Sequence, residues 1–387
     1  MDNRIIYNNE SKEIQFHGDI TSFVFYNELL LALREHYKDN GVKKVPLFSF
    51  MHVNYFDPLV VPNLIGIGYI LKSIHKGERT PLLFARIDST KFLDEIWFFD
   101  NVGKPKTKSE IISTVVNGQI YGKENRYNIG EDLYDFDPRY LGFYNNQNQL
   151  ESNNPEHKVR IYDDDSYSYY KDFDKKTENE LDAIRTDKFN NLKPFIEKHF
   201  RSIISKIDDE EQEKTILKVL TEIICNSILY SGSLCAAMLQ SRNKKTIISI
   251  SDFGVGFEYS FNIKKEKFGK EYKDVFNEFT EEEQIKYKNY IYIFETLEYS
   301  KKKSVYRENL YTLLRDVAIK MNGKMRIHYN DTQVIFTSNR CKHCSDIEPV
   351  KCSKCLLQSY SEDKYISPVR FYNSKYQGVH IEVEFNF

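Results

Sequence analysis

A helical stretch with a polar stripe, followed closely by a buried strand that ends in an aspartate and two spaced glycines, narrows the folds open to this chain. In "LTEIICNSILYSGS", Glu222, Asn226 and Tyr230 recur at four-residue steps and so share one helix face. Ile223, Ile224, Ile228 and Leu229 supply the apolar packing around them. The run "KTIISISD" then reads as a buried strand ending at Asp252, with Gly254 and Gly256 directly after it. A carboxylate on such a stripe suits a general base that polarises a water. An amide oxygen beside it suits one position of an octahedral Mg²⁺ shell. Asp252 suits an acceptor for an exocyclic amine, and the glycines let backbone approach a flat base closely. The plainer alternative is a helix with its polar residues toward solvent and an aspartate that caps a turn.

Glu-x-x-x-Asn followed by Asp-x-Gly-x-Gly resembles the N-box and first glycine box of the GHKL ATPases, which include gyrase, heat-shock chaperones, mismatch-repair proteins and histidine kinases. The resemblance covers about residues 175–387 and implies a Bergerat-type α+β sandwich that binds ATP and Mg²⁺. By it, Glu222 is the catalytic base, Asn226 the Mg²⁺ ligand and Asp252 the adenine reader. Tyr230, Gly254, Gly256, Arg307 and Asn309 complete the nucleotide set. Two departures stand out. Where relatives carry a glycine-rich lid, this chain has "SKKKSVYRENLY", which leaves phosphate contacts to Lys302, Lys303, Arg307 or the backbone near Asn309 and Leu310. Where many relatives have Gly-Thr near the end, this chain has Gly378-Val379. The "DFG" and "VAIK" words occur in the reverse of their protein-kinase order, so a kinase fold is rejected.

Upstream, strands alternate with amphipathic helices over residues 1–105, the pattern of a small α/β domain. Its stretch "VPLFSFMHVNYFDPLVVPNLIGIGYILKSIHKG" resembles a STAS domain, the fold of anti-sigma-factor antagonists. Asp57-Pro58-Leu59 stands where switching members carry a phosphorylatable serine. The resemblance therefore implies a fixed docking or dimerising module. Residues 106–175 read as an acidic, Tyr-rich connector with little structure of its own, and 176–387 as the ATPase-like domain. Within that domain "TEEEQIKYKNYIYIFETLEYS" reads as one helix, and "KMRIHYNDTQVIFTS" as a hairpin turning at Asn330-Asp331.

The run "CKHCSDIEPVKCSKC" places Cys341, Cys344, Cys352 and Cys355 as two C-x-x-C pairs, the spacing of a closed tetrahedral Zn²⁺ site. It forms a knuckle inserted at about 338–376. Cys225 and Cys235 read as small buried residues of the helical segment.

A net charge of −2 gives no global attraction to nucleic acid or membranes. No apolar run approaches the ~20 residues of a bilayer span, and the first residues lack a secretory core, so a cytoplasmic protein is expected. The functional expectation is an ATP- and Mg²⁺-binding signalling protein, a slow ATPase, whose nucleotide state controls protein partners through the STAS-like domain; a homodimer is among the assemblies it allows. The alternatives are an anti-sigma-type Ser/Thr kinase acting on a STAS partner, or a scaffold that does not hydrolyse ATP.

Overall fold

The computed structural model describes residues 3–76, 80–85, 92–93, 96, 98, 115–116, 119–120, 131–136, 157–162, 175–204, 207, 209–242, 244–268, 273–301, 309–338, 352–361 and 367–386. The chain divides into two compact units, Met1–Ile161 and Tyr162–Phe387. It is a mixed α and β fold with, among the described residues, two five-stranded sheets and a two-stranded one. Among the described residues no helix is long and apolar enough to cross a membrane.

The first unit runs β1 (Ile5–Asn8), β2 (Glu13–Ile20), α1 (Ser22–Asn40), β3 (Leu47–Phe56), α2 (Val61–Ile74), β4 (Thr80–Ala85), β5 (Val115–Val116), β6 (Gln119–Ile120) and β7 (Glu131–Phe136). Its sheet has the order β1-β2-β3-β4-β7. The central strands β2, β3 and β4 are parallel because α1 and α2 supply the crossovers that parallel pairing needs. The edges β1 and β7 are antiparallel. Alternation puts Phe16, Phe48 and Phe50 in the core, with the Phe16 and Phe50 rings 4.4 Å apart. Burying each such ring stabilises the unit by about 2 kcal/mol. Thr21 caps α1 by accepting from the Val24 amide at 3.3 Å. Asp57 folds the turn before α2, its carboxylate accepting from the Leu59 amide at 3.1 Å. The first two turns of α2, Val61 to Gly68, are buried.

The second unit opens near β8 (His157–Tyr162), then runs α3 (Glu178–Ile204), α4 (Glu210–Ser231), β9 (Cys235–Arg242), β10 (Lys245–Asp252) and α5 (Gly256–Phe268). A 3₁₀ turn at Phe276–Glu278 leads to α6 (Glu281–Lys286), α7 (Lys288–Ser300) and α8 (Leu310–Arg315), which continues as a π turn, Asp316–Lys320. β11 (Lys324–Phe336), α9 (Ser353–Gln358) and β12 (Val369–Asn386) complete it. The sheet order is β11-β12-β10-β9-β8, in which the β11–β12, β12–β10 and β10–β9 pairs are antiparallel. Helices α3, α4 and α7 pack against β9, β10 and β11 respectively. Asp209 starts α4 by accepting from the Glu211 and Gln212 amides, and Glu210, Glu211 and Glu213 in the first turn suit the positive end of the helix dipole.

Strand pairing sorts the sheet into two faces. Ile248, Val383 and Met325 form one rung, and Ile250, Ile381 and Ile327 the next. The alternate positions carry Ser249, Glu382 and Arg326, then Ser251, His380 and His328. His328 and His380 are buried with ring centroids 5.6 Å apart. Their Nε2 atoms lie 2.7 Å from the Asn330 carbonyl and 3.1 Å from the Gln377 carbonyl. Burial holds His328 down at about 3 and His380 well below the usual histidine range.

Several expectations change on this structure. The hairpin expected at Asn330-Asp331 is one continuous strand, β11. Asn330 does take a positive φ of 54°, but the chain answers with a register slip against β12 instead of a reversal. Asn289 pins that bulge, donating to Asp331 at 2.7 Å and accepting from Asn330 at 3.1 Å. Cys235 is not helical: Gly232, at φ 65°, ends α4 and Cys235 opens β9. The single helix expected over 280–300 is two, broken at Tyr287. Strands β5 to β8 lie inside the supposed connector. The boundary of the knuckle near 376 falls within β12, which pairs from Val369 onward. Lys320 of "VAIK" sits in the π turn and pairs with Asp316 at 3.0 Å.

Candidate functional site

The site is built where the end of α4 meets the end of β10. Asp252 is 5% exposed, and its Oδ1 accepts from the amides of Gly254 and Val379, each at 3.3 Å. The Ser227 hydroxyl of α4 also bonds its carboxyl. Burial nonetheless dominates and pushes the carboxyl up to about 7, against the downward pull of those hydrogen bonds. Asp252 is thus poised between acid and carboxylate near neutral pH.

The turn after Asp252 admits little besides glycine. A Cβ on Gly254 would stand 1.8 Å from the Ser231 carbonyl oxygen, which also accepts from the Val255 amide at 3.0 Å. Gly256 has φ 74°, and its Cβ would meet the Tyr329 ring at 2.4 Å. From the far end of the sequence, Gly378, at φ 96°, brings β12 against Asp252 so closely that a Cβ would lie 1.9 Å from the Asp252 carbonyl oxygen. The Ser233 hydroxyl accepts from the Phe253 amide at 2.9 Å, and Gln377 donates to the Phe253 carbonyl at 2.8 Å. Gly254→Ala is expected to destabilise the second unit by ~3 kcal/mol, through backbone displacement at Ser231. Chemical denaturation monitored by circular dichroism measures this.

On α4, Glu222 is 3% exposed, one turn before the half-buried Asn226 and two before the half-buried Tyr230. Arg185 of α3 places Nη2 3.5 Å from the Asn226 Oδ1. Its guanidinium carbon is 5.7 Å from the Tyr230 ring centre, and Lys264 of α5 sets its ammonium 3.4 Å from the same centre. Asn309 caps α8, accepting from the Thr312 amide at 2.8 Å and the Thr312 hydroxyl at 3.0 Å. Arg307, with Lys302 and Lys303, lies outside the described residues. Sequence reading missed Ser227, Arg185 and Lys264. Ser227 adjoins Asn226 in the motif, whereas nothing local in the sequence ties Arg185 or Lys264 to that helix.

Cys352 and Cys355 are half-buried cysteines at the start of α9. Their turn is held by Tyr290, which donates to the Ser353 carbonyl at 2.5 Å, and by Ser353, which donates to Glu278 at 2.5 Å. Two thiols on one turn suit half of a tetrahedral thiolate shell. Cys341 and Cys344 lie outside the described residues, and among the described residues no group of three or more His, Cys, Asp or Glu side chains could hold a metal ion. No protein-family model, curated protein or solved structure matches the chain.

Proposed function

We propose that this chain is an ATP-binding regulatory protein, with a GHKL-type nucleotide site in its second unit and a STAS-like docking module in its first. One observation carries the reading. Asp252, at a buried strand end, is met by its own glycine turn, by the α4 Ser227 hydroxyl and by Gly378-Val379, although 127 residues separate Asp252 from Val379. That convergence supports an adenine reader, with Asp252 accepting from the exocyclic amine over a floor of Gly254 and Gly256. Glu222 is the proposed base; Asn226, the Mg²⁺ ligand by the family resemblance, has its side-chain oxygen engaged by Arg185. A base as buried as Glu222 favours slow turnover. Nucleotide occupancy would then set the association of a protein partner with the first unit, in which α2 offers little beyond its last turn. The glycine-free "SKKKSVYRENLY" and the engagement of Asn309 as a helix cap favour a second reading, a scaffold that binds nucleotide without hydrolysing it.

Calorimetry on the full chain tests this. ATP binding is expected in the native protein, lost in Asp252→Ala and retained in Glu222→Gln, with turnover in Glu222→Gln reduced by about 10²- to 10⁴-fold. No binding by the native protein would refute the reading. Retained binding with no turnover in the native protein selects the scaffold.

Zinc at the cysteine knuckle belongs to the same proposal, with Cys341, Cys344, Cys352 and Cys355 as a closed structural shell. Elemental analysis is expected to find about one zinc per chain, and Cys352→Ser to remove it together with the order of the knuckle. Native protein purified without chelator and free of zinc would contradict it.

A further inference from the structure

Three helices meet beside Asn226. Leu181 of α3 and Leu229 of α4 form a small buried core, and Tyr230 of α4 and Ile263 of α5 pack against it. Arg185 stands one turn beyond Leu181, and Lys264 follows Ile263 directly. The same apolar contact that joins the helices therefore presents two cations to Tyr230, with Lys264 at 3.4 Å and Arg185 at 5.7 Å from its ring centre. Arg185 also reaches the Asn226 oxygen at 3.5 Å.

This placement bears on what holds the charged end of a ligand. A glycine-rich loop binds phosphates through free backbone amides, and the expected lid segment has no glycine. A divalent cation on Asn226 would share its one side-chain oxygen with a guanidinium, and like charges at that range repel. Arg185 needs no metal to bind phosphate: its planar fork pairs two phosphate oxygens directly, and an ammonium serves as a second point charge.

We propose that Arg185 and Lys264, flanking Tyr230, form the polyphosphate clamp of this site, so that nucleotide binds without a divalent cation. In the bound state Arg185 keeps the Asn226 oxygen and turns its other N–H groups to phosphate oxygens, and Lys264 moves from the Tyr230 face to the same group. The inference rests on the nucleotide reading above for the identity of the ligand, and on the cation geometry for how it is held.

Titration calorimetry with ATP, in Mg²⁺ and in excess EDTA, tests the clamp on the full chain. Native protein is expected to bind in EDTA within about fivefold of its affinity in Mg²⁺, and Arg185→Gln and Lys264→Gln to weaken binding in EDTA by about tenfold each, one lost charge-assisted contact apiece. Circular dichroism melts check that both variants fold; a variant that does not is replaced by Arg185→Lys or Lys264→Met. Binding that disappears in EDTA overturns the clamp while leaving the nucleotide reading intact. Unchanged affinity in both folded variants overturns it as well. Should ATP bind under neither condition, inorganic tripolyphosphate is titrated. Binding of that anion, weakened by both substitutions, sustains the clamp without the nucleotide, and absence of binding overturns both.

Discussion

Asp252→Asn is expected to make the second unit more stable at pH 8 and at the same time to abolish ATP binding. Burial lifts the folded carboxyl from 3.8 to about 7. Between those values the folded protein keeps a proton that the unfolded chain has released, so stability falls as pH rises through the window. Above pH 7 the folded state holds an ionised, buried carboxylate. A shift of about three units corresponds to on the order of 4 kcal/mol of lost stability at pH 8. Asparagine never ionises and keeps the Oδ1 acceptor used by the Gly254 and Val379 amides. Urea unfolding at pH 8 should therefore favour the variant, and the difference should vanish near pH 4. A gain in stability at pH 8 would show that the Asp252 charge does not serve the fold. A variant destabilised at every pH would make Asp252 a structural residue.

The second large effect runs the other way. His328 is held neutral, down to about 3, by burial on the far face of the sheet, with the His380 and Tyr372 rings and the Asn330 carbonyl around it. Its folded value lies below the unfolded one near 6.5. The unfolded chain therefore takes up the proton first as pH falls, and stability is intact above about 6.5 and lost toward pH 3. The full loss is on the order of 5 kcal/mol. His380, also shifted down, adds to it. In the native protein the Asp252 slope opposes this loss over much of the same range. The acid limb is accordingly expected to steepen in Asp252→Asn and to flatten when His328→Gln is added. A limb unchanged by His328→Gln would show that the histidine does not set it.

The part of the site carried by contiguous sequence was legible in advance. The stripe on α4, Glu222 to Tyr230, and the Asp-x-Gly-x-Gly turn, Asp252 to Gly256, are each short contiguous segments, and local spacing exposes them. Arg185 was invisible because its distance to Asn226 is set by how α3 packs on α4, across 41 residues of chain. β9 was missed for a different reason. "CAAMLQSR" has small residues buried at successive positions, so neither the strand period nor the helix period shows. Asn330 misled by being right locally. Asparagine does take the positive φ of a turn there, but pairing with β12 carries the strand through, and only the long-range register records the fact. β7, within 106–175, likewise depends on long-range pairing, with β4.

The most direct test of the central claim is thermal unfolding of native protein and Asp252→Asn with and without ATP at neutral pH. A ligand that binds only the folded state stabilises it by about 2.7 kcal/mol at roughly 100 times its Kd. For a unit of this size that corresponds to a rise of roughly 5–10 °C in melting temperature. The account predicts this rise in the native protein and none in Asp252→Asn. No rise in the native protein, or an equal rise in both, would contradict it.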